Sequence, residues 1–151
     1  MLTDDFEEES KLFRDILEWK IHIEGTSVSN PPGENPTGLP WNVAQTEPRI
    51  FAAFANHDSD RAGSIQVMQV VGLTGKNFSE RAKAPNLGLL AFRVPVSDLV
   101  EFRTQFQERG GQLEQPPQTL LLEPYGQVEV LTVRTRNGTR IDFFSSPAGR
   151  N

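Results

Sequence analysis

A chain of 151 residues, 36% of them hydrophobic and ten of them Phe, is long enough for one core or for two small halves sharing one. Its net charge of −5 disfavours a phosphate-binding surface, so no nucleic-acid partner is expected. The absence of cysteine excludes disulfides, thiolate metal sites and a cysteine nucleophile, and no apolar run approaches the length of a membrane span.

The acidic start, residues 1–9, lacks the basic-then-apolar order of a signal peptide, so the expected location is cytoplasmic with no membrane partner. Asp4 or Asp5 can cap a helix reaching to about Trp19, with Phe6, Phe13, Ile16 and Leu17 on one side. Glu7, Glu8 and Glu9 suit the positive end of its dipole and read as a solvated first turn. Residues 20–24 alternate polar and apolar, as a half-buried strand does, with His22 facing away from Ile21 and Ile23. Residues 25–49 form the longest irregular stretch, with prolines at 31, 32, 36, 40 and 48. Trp41 inside it is either a lid over a pocket or a plug on the outside of the core.

Residues 50–55 and 64–71 read as a strand pair joined by an Asp/Gly turn at 57–63, and 73–85 as a polar connector. Residues 87–94 form an apolar strand that Pro95 is expected to end, because proline has no N–H to give to a sheet. Ser97 or Asp98 then caps a helix carrying Leu99, Phe102 and Phe106, which closes at Gly110-Gly111. Three more strands follow, at 119–123, 127–135 and 139–145, with Asn137-Gly138 as a strong hairpin signal. Each half therefore reads helix, strand, strand, strand, and a strong strand precedes only the second helix.

Three segments, in this order, resemble the vicinal oxygen chelate superfamily, which includes glyoxalase I, bleomycin-resistance proteins and extradiol dioxygenases. They are Asp5 through Phe13-Arg14-Asp15-Ile16-Leu17-Glu18-Trp19, Leu89 to Val94 with the helix after it, and Asn137-Gly138-Thr139-Arg140-Ile141-Asp142-Phe143. The likeness covers nearly the whole chain outside residues 25–49. It implies an α+β fold of paired βαβββ modules forming an open, cupped mixed sheet. Here the first module, 1–72, lacks its first strand, 73–85 is a linker, and the second module is 86–146, all within a single glyoxalase-like domain. The family places one metal ligand on the first and fourth strand of each module. By that resemblance the first ligand position is absent, and the others fall on Gln66, Leu89 and Asp142.

A catalytic metal needs about three protein ligands. Leu89 cannot be one, and His22 and His57 lie elsewhere, so no cofactor is expected. Strand alternation gathers Leu89 and Arg93 on one face, joined by Gln66 and Met68 from the first half and by Arg140, Asp142 and Phe144 from the last strand. That is an apolar cavity with a few polar groups, the usual make-up of a small-molecule site, and Trp41 stacks on the ligand if its loop folds over. Arg93 or Arg140 can fix an anionic group bidentately. In the plainer reading, Asp142 forms a buried ion pair with Arg140 or Arg93, and Gln66 is an inward amide bonded to neighbours or water.

The expected function is binding of an apolar small molecule, with or without an anionic group, in the sheet cup without the family's usual metal site. The alternative is a divalent-metal-dependent lyase, isomerase or dioxygenase whose ligand set is completed by a second chain or an N-terminal segment. A third is an interaction module with a filled cup. A missing first strand leaves a sheet edge unpaired, which predicts a homodimer formed through the first half.

Overall fold

A computed structural model describes residues 1–27, 49–55, 63–72, 75–81, 83, 85 and 91–145. The chain divides into two compact units, Met1–Lys76 and Asn77–Asn151, and the division falls within the 73–85 connector. Trp41, His57 and Leu89 lie outside the described residues.

In the first unit, α1 spans Phe6–Lys11. Asp5 is its N-cap, with a carboxylate oxygen accepting from the Glu8 N–H at 3.1 Å. The expected helix to Trp19 does not continue as α-helix. Residues Leu12–Ile16 widen into a π-helical turn, the Leu17 N–H donates to the Leu12 carbonyl at 2.9 Å, and Glu18 takes a positive φ of 52°. The wider turn lets Phe13 sit fully buried between Phe54, 5.4 Å away, and Trp19, 5.5 Å away.

The reading of the acidic run as solvated is corrected at Glu9. Glu7 and Glu8 are exposed, but Glu9 is buried, because it lies three residues after Phe6 and four before Phe13, on the apolar stripe. Its charge acts on the Met1 amine, whose affinity for a proton is nevertheless lowered from the ordinary 8.0 by burial.

Strands β1, Lys20–Ser27, β2, Arg49–Ala55, and β3, Ser64–Val70, form an antiparallel sheet in the order β1-β2-β3. Strand β1 runs three residues past the expected end. It also carries an irregularity at His22. Ile21 pairs with Phe54 and Ile23 with the adjacent Ala53, so the two isoleucines face opposite sides and not one side as strict alternation requires. No full strand precedes α1. A single parallel bridge, Leu2 to Met68, stands in that place: the Thr3 N–H donates to the Met68 carbonyl and the Met68 N–H to the Met1 carbonyl, both at 2.9 Å.

In the second unit, β4 spans Ala91–Val96 and α2 spans Leu99–Glu108. Strands β5, Gln118–Leu122, β6, Gly126–Arg134, and β7, Arg140–Ser145, complete a sheet in the order β4-β7-β6-β5. Strand β4 pairs with β7 in parallel and the other pairs are antiparallel. The Leu2 bridge to β3 repeats the β4–β7 relation in miniature, so the two units share one topology.

Pro95 does not end β4. It pairs in register with Phe144, and the strand runs on to Val96. The reason is that β4 is the outer strand of its sheet, where a residue without an N–H leaves no ladder bond unmade.

Asp98 caps α2 by accepting from the Val100 and Glu101 N–H groups at 2.8 and 2.9 Å. Gly110 ends the helix at φ 86°, and the Gly111 N–H donates back to the Phe106 carbonyl at 2.8 Å. The helix packs on β7 through Phe102, whose ring lies 4.4 Å from that of Phe143. At Gly138 the φ is 85°, and an added Cβ would meet the Ser79 carbonyl oxygen at 2.5 Å, so only glycine fits this turn.

Replacing Phe13 with Ala removes the ring that joins α1 to β2. The expected cost is about 3–5 kcal/mol in denaturant unfolding, whereas Val100→Ala on the exposed face of α2 should shift stability by no more than about 0.5 kcal/mol.

Candidate functional site

Strand β7 sets the polar groups of the second unit. Its buried Ile141 and Phe143 face α2, so Arg140, Asp142 and Phe144 face the other way. Register carries this face across the sheet. Asp142 lies beside Arg93 on β4 and Thr132 on β6, Arg140 beside Ala91 and Arg134, and Phe144 beside Pro95 and Val130.

Asp142 is held by two different contacts. The Thr132 hydroxyl donates to Oδ1 at 2.9 Å within the buried layer. Oδ2 faces the Arg93 Nε at 3.7 Å, an ion pair beyond hydrogen-bond reach. The Arg93 side chain is 57% exposed and that of Asp142 only 12%.

Arg140 is committed elsewhere. Its Nε and Nη2 donate to the two Glu114 carboxylate oxygens at 2.7 and 3.0 Å, a bidentate pair. Arg134 Nε lies 3.2 Å from the same carboxylate. The Glu114 N–H donates to the Thr132 carbonyl at 2.8 Å, so backbone and side chain together latch the segment after α2 onto β6 and β7. The hydrogen bond from Arg140 holds the Glu114 carboxyl below its ordinary value of 4.5, helped by the charges of Arg140 and Arg134 and opposed by partial burial.

Farther along the same face the side chains are apolar. Leu122, Val128, Val130 and Phe144 form a buried cluster with Leu120 and Tyr125 packed against it, the Tyr125 and Phe144 rings 5.0 Å apart. Phe144, expected to contact a ligand, is thus already enclosed by its neighbours.

The first unit holds the other expected residues. Gln66 is exposed, and its backbone carbonyl accepts from the Met1 amine. Met68 is buried at the Leu2 bridge. They share a sheet face with Ala53 and Phe51, their register partners. Gln69, on the opposite face, secures the start of α1 by accepting from the Phe6 N–H at 3.0 Å and donating to the Asp4 carbonyl at 2.9 Å.

Of the expected site residues, Arg93 and Asp142 come together, with Arg140 two residues along β7 from Asp142. Sequence reasoning missed Thr132 and Glu114. Thr132 carries a usable signal, a polar residue inside an otherwise apolar run at Val130–Val133. Glu114 carries none, because its partners lie twenty and twenty-six residues ahead.

Among the described residues no three His, Cys, Asp or Glu side chains gather to hold an ion. Asp142 presents one oxygen to a hydroxyl and the other to a guanidinium, so the donor set around it does not fit a cation.

Because the Glu114 carboxyl is depressed in the folded state, its contribution is present above the ordinary carboxylate range and is lost as pH falls through the folded value. In denaturant unfolding between pH 7 and pH 3, the stability gap between the native chain and Glu114→Gln should close as pH falls. A gap that stays constant contradicts the latch.

No protein-family model and no curated protein matches the chain. Solved structures do. A glyoxylase/bleomycin resistance protein/dioxygenase domain from Frankia sp. EAN1pec aligns over 99% of this chain and 89% of its own, with a TM-score of 0.54 and 19% identity. A glyoxalase family protein from Bacillus cereus aligns over 96% and 89%, with a TM-score of 0.62 and 15% identity. The fosfomycin resistance protein FosX from Mesorhizobium loti aligns over 98% and 88%, with a TM-score of 0.50 and 9% identity. At these identities the likeness concerns the backbone, and together with the repeated strand topology of the two units it shows that the chain has the fold of the glyoxalase/bleomycin-resistance structures.

Proposed function

We propose that this protein binds a small, partly apolar molecule at the Arg93 end of the sheet face opposite α2 and does so without the usual metal site of the family it resembles. The observation that carries the reading is the engagement of Asp142. The side chain at the family's last metal-ligand position is tied to Thr132 and faces Arg93, an arrangement suited to organising a polar ligand and not to holding a cation. Ala91 and Pro95, which flank Arg93 on the same face and are not buried, add an apolar element to the polar groups, the mixture common in small-molecule sites. Bleomycin-resistance and fosfomycin-resistance proteins appear among the similar structures, which makes ligand binding a natural use of this fold.

Thermal denaturation of the full chain with a panel of aromatic, carboxylate and drug-like compounds tests this. A compound at a hundred times its dissociation constant should add about 2.7 kcal/mol. No stabilisation by any compound, together with stabilisation by zinc, nickel, manganese or ferrous iron, would replace this reading with that of a metal-dependent enzyme.

A homodimer formed through the first unit belongs to the same proposal. The pairing of Met1–Thr3 with Met68 leaves it less edge to cover than a wholly missing strand would. Sedimentation at micromolar concentration should give twice the monomer mass. A monomer would remove the dimer from the account while leaving the binding proposal in place.

A further inference from the structure

Among the described residues, five charged side chains stand on or against the sheet face of the second unit opposite α2: Arg93, Arg134 and Arg140, with Glu114 and Asp142. Three cations against two carboxylates leave one positive charge in excess. The three arginines are not equivalent. Arg140 has two of its donors on Glu114, and Arg134 lies against the same carboxylate with its side chain 27% exposed. Arg93 is the most exposed of the three, and its ion-pair partner among the described residues, Asp142, is at 3.7 Å, too far for a hydrogen bond. Among the described residues its planar fork of donors makes no hydrogen bond.

Asp142 can also lose Arg93 without being stranded. Its Oδ1 keeps the Thr132 hydroxyl, and it remains within the electrostatic reach of Arg140. A buried carboxylate left with no such support would be costly. With it, Arg93 is free to exchange partners.

From this geometry we propose that Arg93 anchors a monoanionic carboxylate ligand, turning from Asp142 to take the incoming carboxylate on its fork while Thr132 and Arg140 hold Asp142 in place. The proposal rests on the small-molecule reading and names the ligand class. A single negative charge matches the single excess positive charge. A phosphate or phosphonate dianion carries one charge more than the face can match and meets Asp142 at close range. Ala91 and Pro95 flank Arg93 on its own strand and face, and they give a short apolar body somewhere to lie.

The test uses the full chain and three probes of one shape: benzoate, the neutral benzamide and phenylphosphonate, each titrated calorimetrically at fixed salt. Benzoate should bind the native chain at least about tenfold more tightly than benzamide, the difference one charge-assisted contact supplies. Arg93→Gln should bring that ratio to about one while benzamide affinity holds. Arg103→Gln, which removes the same net charge from α2, should leave the ratio unchanged. Asp142→Asn removes the competing carboxylate, so benzoate should tighten several-fold and phenylphosphonate should gain more. Two results overturn the proposal: a benzoate preference that survives in Arg93→Gln, or benzoate binding that weakens in a folded Asp142→Asn. If benzamide and other neutral aromatics bind as well as benzoate, the anion anchor fails and the small-molecule reading stands. If no compound of the wider panel binds, both fail together.

Discussion

Strand β7 lies between β4 and β6, so both of its backbone edges are paired and each of its side chains must take one face or the other. That constraint organises the second unit. Ile141 and Phe143 go to the helix side and are fully buried, with Phe143 against the Phe102 ring of α2. Arg140, Asp142 and Phe144 are then forced to the opposite face, where a charged residue needs a partner. Asp142 finds Thr132 and Arg93, Arg140 finds Glu114, and Phe144 joins the apolar cluster. A shift of one residue in the β6–β7 register would turn Arg140 and Asp142 toward α2 and Phe143 to the opposite face. The Asn137-Gly138 turn guards against that slip, because Gly138 packs against the Ser79 backbone in a conformation no other residue fits.

The two ion-pair groups on this face do different work. Glu114 is gripped by two arginines and bonded through its own backbone N–H, which makes it a structural latch for the segment between α2 and β5. The Arg93–Asp142 pair is longer, and its guanidinium stands mostly in solvent, so the contact is weaker than the bidentate grip on Glu114. Its value is more naturally sought in recognition. The fold is one whose solved examples include resistance proteins and glyoxalases, so the fold by itself does not decide the function.

Much of the fold was legible because its signals are local. Helix caps at Asp4 or Asp5 and at Ser97 or Asp98, Gly110-Gly111 as a terminator and Asn137-Gly138 as a turn each follow from a few neighbouring residues. The alternation that separates Asp142 from Phe143 is equally local. What was not legible depends on neighbours distant in sequence. Whether Pro95 ends a strand turns on whether that strand is outermost, which only the sheet order decides. The irregularity at His22 sends Ile21 and Ile23 to opposite faces, and nothing in an alternating stretch announces it. Glu9 looks like any first-turn glutamate until its place on the Phe6–Phe13 stripe is noticed. At the site, residues 93, 140 and 142 were singled out together, but the choice between Arg93 and Arg140 required Glu114, which no motif marks.

The central claim is that Arg93, on the face shared with Asp142, is where this protein meets its ligand. The most direct measurement is NMR of the arginine side-chain Nε–H groups during titration with benzoate. Binding through Arg93 predicts a saturable shift of the Arg93 resonance, with that of Arg140 held still by Glu114. A shift confined to Arg103 on α2, or movement of Arg140 with Arg93 unmoved, would contradict it.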